Sequence, residues 1–189
     1  MKTLMKPLAL MMTLATFAAA DESFGAQPAA GKKALVVYFS HSGNTRVVAE
    51  QIARAAGADI LEIVPEKPYP TAYNAVVDQA KKEIEVGYRP AIATPIPDLA
   101  SYDTVFVGSP CWWYTIAPPV ATFLEGCDLR GKTVAPFMTH EGSRMGHSVD
   151  DIRKLCPAST VTEGLPVRGG SVAGAAPEVE KWLTKIGLK

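Results

Sequence analysis

Residues 33–57 read KALVVYFSHSGNTRVVAEQIARAAG. The opening KALVVYFS (33–40) is a nearly continuous apolar, β-branched run of strand length, the pattern of a strand buried on both faces of a parallel sheet. After a short loop containing Gly43, NTRVVAEQIARAAG (44–57) places Val48, Ile52 and Ala55 on one face and stops at Gly57, so it reads as an amphipathic helix. Strand, loop and helix in this order open a βαβ unit.

The alternation continues downstream. ADILEIV (58–64) is a second strand ended by Pro65; a turn-rich connector to Pro70 leads into TAYNAVVDQAKKEIEVG (71–87), which is helical in composition. The proline-rich segment that follows must be irregular. DTVFVGS (103–109) is a third strand, PVATFLEGCD (119–128) a short helix, and KTVAPFMT (132–139) a fourth strand, although Pro136 cannot donate to a ladder. SVDDIRKLC (148–156) reads as a helix with a Ser148 to Asp151 capping pattern. STVTEGLPV (159–167) is the expected fifth strand, RGGSVAGA (168–175) a glycine-rich loop, and PEVEKWLTKIG (177–187) a last helix with Val179, Trp182, Leu183 and Ile186 in one stripe. Five strands alternating with five helices predict an α/β domain whose parallel sheet is covered on both faces.

With 189 residues, 48% of them apolar and 20% charged, the chain fits one soluble domain and neither a disordered chain nor a polytopic membrane protein. Its 19 basic and 19 acidic residues cancel, which leaves no electrostatic footprint for nucleic acid. Three cysteines without a CxxC or zinc-type Cys/His spacing argue against a disulfide framework and a structural metal. Residues 1–20 carry Lys2 and Lys6, then an apolar run from Leu8 to Ala20 too short to span a bilayer, with small residues at Ala18 and Ala20. That is the pattern of a signal peptide cleaved after Ala20, and it predicts an exported protein, periplasmic or extracellular. Residues 21–32 read as a disordered leader, and residues 33–189 as the folded domain.

Two segments resemble phosphate loops. GCDLRGKT (126–133) satisfies GxxxxGK[ST], but a helix precedes it and a strand follows, the reverse of what a P-loop requires, so nucleotide triphosphate binding is rejected. SHSGNT, from Ser40 through His41, Ser42, Gly43 and Asn44 to Thr45, does run from strand to helix and sets small donors beside the unpaired N–H groups of a helix start. After the third strand, PCWWYTIAPP sets Trp112, Trp113 and Tyr114 in succession in a proline-flanked loop, where a flat ligand is expected to cover at least one ring. THEGSRMGHS (139–148) follows the fourth strand. All three loops belong to the carboxyl edge of the sheet, where open α/β folds bind ligands.

In YFSHSGNTRVVAEQIA (38–53), YPTAYNAVVDQAKKE with the RP that follows (69–90), YDTVFVGSPCWWYTIAPPVATFLE (102–125) and VAPFMTHEGSRMGHS (134–148), the chain resembles the flavodoxins, and more narrowly the exported flavodoxin-like proteins. The resemblance implies a three-layer sandwich, a five-stranded parallel sheet of order 2-1-3-4-5, and FMN at the carboxyl edge. It assigns the FMN phosphate to Ser40, His41, Ser42, Gly43, Asn44 and Thr45, and the isoalloxazine to the loop of Pro110, Cys111, Trp112, Trp113, Tyr114 and Thr115. Thr139, His140, Glu141, Gly142 and Ser143 would form the opposite wall, with Arg144 near the flavin. Within that reading His41 is expected as an exposed loop residue, and Cys111 as a small buried hydrophobe. Cys127 and Cys156 follow helices expected to be neighbours, where an oxidising compartment would allow a disulfide.

The function implied is a non-covalent FMN protein that transfers electrons to an unidentified redox partner, cycling between oxidised, semiquinone and hydroquinone forms. The alternative is an NAD(P)H-dependent reductase of quinones or nitro compounds on the same FMN. Export away from cytosolic NADPH places the carrier first. A flavin-free binding module of the same fold, and a cysteine hydrolase using Cys111 with His140, are the remaining readings.

Overall fold

The structure, a computed structural model, describes Met1 and residues 33–189. The expected leader and all but the first residue of the expected signal peptide lie outside the described residues. Strands β1 (Ala34–Tyr38), β2 (Asp59–Glu62), β3 (Thr104–Trp112), β4 (Thr115–Ile116), β5 (Thr133–His140), β6 (Thr160–Val161) and β7 (Leu165–Arg168) alternate with helices α1 (Asn44–Ala56), α2 (Tyr73–Glu85), α3 (Pro118–Gly126), α4 (Ser148–Leu155) and α5 (Ala176–Lys185). The sheet runs β2-β1-β3-β5-β6, with β7 beside β5 as well. Every pairing is parallel except that of β4, which folds back on the end of β3. Set β4 aside, and take β6 and β7 as two halves of one edge strand, and this is the expected order 2-1-3-4-5.

Pro136 explains why that edge strand is broken. Val134 O accepts the Thr162 N–H at 2.9 Å, so alternate residues of β5 turn their amides toward this edge. Pro136, two residues on, has no N–H to give there. The partner chain leaves the ladder between Val161 and Leu165 and rejoins beside Phe137. The continuous fifth strand expected over 159–167 is therefore corrected to two short ones.

Alternation along the strands divides the core between two faces. Leu35, Val37, Val105, Val107, Val134 and Met138 pack with Val76, Val120, Phe123, Leu124 and Ile152 from α2, α3 and α4. Val36, Tyr38, Phe106, Ala135 and Phe137 pack with Val48, Ile52, Val179, Trp182 and Leu183 from α1 and α5. At ~25 cal/mol per Å2 of apolar area, these two layers supply most of the driving force for folding.

Two local expectations change. The segment 168–175 is not an open loop but ends β7 and continues as a 3-10 helix over Gly169–Gly174. Ser148 does not cap α4: the cap position is His147, and the buried Ser148 belongs to the helix itself. Cys111, Cys127 and Cys156 are all free thiols in this structure. Burial pushes the Cys127 thiol up to about 12, helped by Cys156, and burial pushes Cys156 up to about 11. Residues 127–132 join α3 to β5, which bears out the rejection of a P-loop there. Among the described residues, no helix is long and apolar enough to cross a membrane.

Candidate functional site

The ends of β1, β3 and β5, together with the start of α2, enclose a cavity of about 690 Å3 at the carboxyl edge. That volume lies within the usual range of small-molecule sites.

The β1–α1 loop forms one end. Gly43 takes φ 92° as the residue before α1, a left-handed backbone that glycine adopts without a Cβ penalty. Ser40 Oγ accepts the N–H groups of Gly43 (3.1 Å) and Arg46 (3.3 Å), so this hydroxyl shapes the loop from within. The N–H groups of Ser42, Asn44 and Thr45 have no acceptor among the described residues. They stand at the positive end of the α1 dipole, an anion site made of backbone. Arg46, the nearest cation in sequence, is held by Glu62 at 2.6 Å. His41 is not a free loop residue: its Nε2 donates to Pro70 O at 2.8 Å, and its ring stands edge-on to Trp112 at 5.9 Å.

The second wall differs from the expected loop. β3 continues through Pro110 and Cys111 to Trp112, then reverses through a two-residue turn into β4. The turn residues are Trp113 (φ 48°) and Tyr114 (φ 67°), both left-handed, where hairpins favour Asn and Gly. Bulky residues there cost backbone energy, and such strain gathers at functional sites. The three aromatics divide their roles. Trp112 is half-buried against Phe39 (5.5 Å) and Tyr69 (5.0 Å). Trp113 is 43% exposed, and Tyr114 60% exposed, on the cavity rim. Trp113 Nε1 donates to Val77 O at 3.1 Å, which ties the turn to α2.

A tight contact braces the turn. His147 N–H donates to Tyr114 O at 2.8 Å, and Gly146 at φ 50° sits so close that a Cβ there would collide with the Tyr114 carbonyl. Thr115 is buried, and its hydroxyl donates to Asp151 Oδ2 at 2.5 Å; its role is to hold the hairpin on α4.

Thr139 at the end of β5 joins its hydroxyl to that of Thr45 at 2.8 Å, below the cavity floor. His140, Glu141, Gly142 and Ser143 complete the lining. Burial pulls the His140 imidazole below its ordinary value, and the charges of Arg144 and Arg168 add to this against Glu141. Burial is the main cause that raises the Cys111 thiol above its ordinary value. That direction opposes thiolate formation and disfavours the cysteine-hydrolase reading.

A sequence profile of the flavodoxin family matches residues 33–186. The chain belongs to the flavodoxin family. This flavodoxin-family chain is similar to a provisionally assigned flavoprotein from Bacteroides eggerthii, with 34% identity, TM-score 0.72, and coverage of 83% of this chain and 99% of that one. It is also similar to a flavoprotein in complex with FMN from Lactobacillus acidophilus, with 29% identity, TM-score 0.65, and coverage of 80% and 98%. A protein from Gluconacetobacter diazotrophicus named NAD(P)H dehydrogenase (quinone) is 32% identical over 170 residues, 77% of this chain and 79% of its own length. One of the same name from Cupriavidus metallidurans is 35% identical over 96 residues, 49% of this chain, which spans less than half (45%) of that relative.

All the site residues expected from the flavodoxin-family motifs line the cavity except Ser40, Gly43, Thr45 and Thr115, which support it from behind. Sequence reasoning missed Thr71, Tyr73, Val76, Val77 and Ala80, which close the side facing Trp113. The available signal was position: they follow the second strand, whose carboxyl end meets the same edge as the three loops that were considered.

Proposed function

We propose that this flavodoxin-family protein binds FMN non-covalently and passes reducing equivalents from NAD(P)H to a quinone. The carrying observation is the set of unaccepted amides at Ser42, Asn44 and Thr45 beside a cavity with exposed Trp113 and Tyr114 on its rim. An anion and a flat ring are what those two features accommodate together, and FMN has both. The residues fit the group: phosphate meets backbone donors and the α1 dipole, while the rings offer stacking faces.

When bound, FMN supplies the ring that accepts and releases electrons or hydride. The chain itself anchors and orients. Gly43 sets the angle of the phosphate loop, the Thr45–Thr139 pair fixes that loop to β5, and the turn at 113–114 holds an aromatic wall against α2. Names of relatives at 32–35% identity support the NAD(P)H and quinone chemistry. The electron carrier, placed first on sequence grounds, is the second reading; the exposed Tyr73, Trp113 and Tyr114 around the rim favour it as a contact surface for a protein partner. An intact anion loop disfavours the flavin-free module.

Absorption and flavin fluorescence of the purified protein after FMN addition and desalting test the cofactor, with a retained, quenched flavin band expected. Anaerobic mixing with NADPH or NADH, then a benzoquinone, tests the chemistry. Multiple turnovers support the reductase. Bound FMN that neither nicotinamide reduces supports the carrier, and a colourless protein that refuses FMN overturns both.

We further propose that the protein is exported after cleavage behind Ala20, on the basic, apolar and small-residue pattern of residues 1–20. Amino-terminal sequencing of the protein from its native compartment should begin at Asp21; a start at Met1 or Lys2 overturns it.

A further inference from the structure

His140 Nδ1 is buried and has no hydrogen-bond partner among the described residues, in a side chain that lines the cavity. A buried ring nitrogen without a partner is costly, which marks it as a group whose partner comes from outside the chain. Its neighbours make the site unusual. β7 sets Arg168 directly opposite His140 in the β5 ladder, and Arg144 follows in the turn beyond β5 at φ 53°. Both arginines are exposed and form no salt bridge among the described residues. Together with burial they disfavour an imidazolium at His140.

We propose that His140 is the residue that takes up a proton when the flavin in this cavity is reduced. The proposal rests on the FMN reading above. Two electrons and one proton convert the neutral flavin ring to a ring bearing one negative charge. That charge opposes the two arginines from inside the same cavity and so favours the imidazolium. An opposite charge within ~4–6 Å favours the charged form of a histidine. A His140 neutral beside oxidised flavin thus becomes an imidazolium beside reduced flavin. With NAD(P)H as reductant, hydride carries both electrons and the ring proton, so the one proton drawn from solvent goes to His140.

Other titratable groups around the cavity are distinguishable. Cys111 is already a protonated thiol and has no proton to gain. His41 stands across the cavity with its Nε2–H on Pro70 O, and any proton it took up would still be taken up in a His140 variant. Glu141 is the one carboxylate among the lining residues and is exposed to solvent. The reduced ring nitrogen itself is the remaining competitor, and it survives any substitution at His140.

The test uses the FMN-loaded full chain. Its midpoint potential is followed by spectroscopic redox titration with reference dyes between pH 5 and 9. Proton uptake on anaerobic reduction by NADH, or by dithionite corrected for its own protons, is read from an indicator dye in weak buffer. The wild type should show a window, opening below the ordinary histidine value, in which the slope doubles from one to two protons per two electrons. His140→Gln, compared at saturating FMN, should hold the one-proton slope throughout, while Glu141→Gln should keep the window. If His140→Gln does not fold, His140→Asn replaces it, and the imidazole proton resonance of the wild type should titrate at higher pH in the reduced than in the oxidised holoprotein. A doubled slope that persists in the His140 variant assigns the proton to the flavin or to His41 and overturns the proposal. A wild type with bound FMN and a constant one-proton slope overturns it too, leaving the FMN reading intact. Failure to bind FMN at all removes both.

Discussion

Thr45 and Thr139 lie 94 residues apart and share a buried hydroxyl–hydroxyl hydrogen bond of 2.8 Å. One side chain stands in the first turn of α1, the other near the end of β5, so the bond joins the anion loop to the far wall of the cavity. Neither hydroxyl has access to water, and each is the other's partner.

Thr45→Val or Thr139→Val alone should cost about 1–3 kcal/mol, because each strands a buried hydroxyl. The double variant should cost less than the sum, by about 0.5–3 kcal/mol, since no polar group is then left unpaired. Urea unfolding of the four proteins measures this, and strictly additive costs would mean that the bond contributes nothing. The single variants should also bind FMN more weakly, as the loop loses its tether.

Gly146 and Gly142 sit in one loop and should answer differently to alanine. At Gly146 the backbone is left-handed and a Cβ would collide with the Tyr114 carbonyl; at Gly142 a Cβ would meet open space. Gly146→Ala should destabilise by about 2–4 kcal/mol, combining strain with overpacking. Gly142→Ala should stay within about 0.5 kcal/mol. Equal thermal midpoints for the two variants would show that the 146–114 contact does not constrain the turn.

Asp151 gives the stability a defined acid limb. Burial opposes its ionisation, but hydrogen bonds from Thr115, Lys154 and His147 outweigh it and hold the carboxyl below its ordinary value. A depressed folded value means stabilisation that is complete above the unfolded value near ~3.9 and lost as pH falls through the lower folded one. Asp151→Asn should therefore be less stable than the wild type at pH 6, with the gap closing below about pH 4. A gap of constant size from pH 6 to pH 2.5 in urea titrations would rule out this linkage.

The legible parts of the molecule are those where one period runs unbroken. β1 and α1 show this best: Leu35 to Phe39 and the Val48, Ile52 face state their burial in the residues themselves. The hairpin at Trp112 to Thr115 was not legible, because the usual signal for a two-residue left-handed turn is Asn-Gly, and Trp-Tyr carries none. Pro110 argued further against the strand that passes through it. Pro136 is visible in the sequence, but its consequence falls on another segment, at Thr162 to Gly164, and only pairing reveals which segment faces the missing N–H. Ser148 looked like a cap because local pattern favours serine there, whereas the tertiary contact of His147 with Tyr114 moved the helix start.

Trp112 and Trp113 are adjacent, and sequence could not assign their roles. Trp112 packs edge-on against Phe39 and Tyr69, with His41 on its side, so its ring belongs to the wall itself. Trp112→Ala should lower unfolding stability by about 3 kcal/mol and reduce FMN affinity only as a consequence. Trp113 has one hydrogen bond, to Val77 O, and Lys81 Nζ 5.1 Å from its ring centroid. Trp113→Ala should cost at most about 1 kcal/mol of stability, the worth of that single bond. It should weaken FMN about three- to tenfold, as an aromatic stacking contact of ~0.5–1.5 kcal/mol is lost. Fluorescence titration with FMN, paired with urea unfolding of each apoprotein, separates the two effects. If Trp113→Ala leaves FMN affinity unchanged while Trp112→Ala abolishes it in a stably folded protein, Trp112 is the stacking ring and the strained turn serves only to close the hairpin.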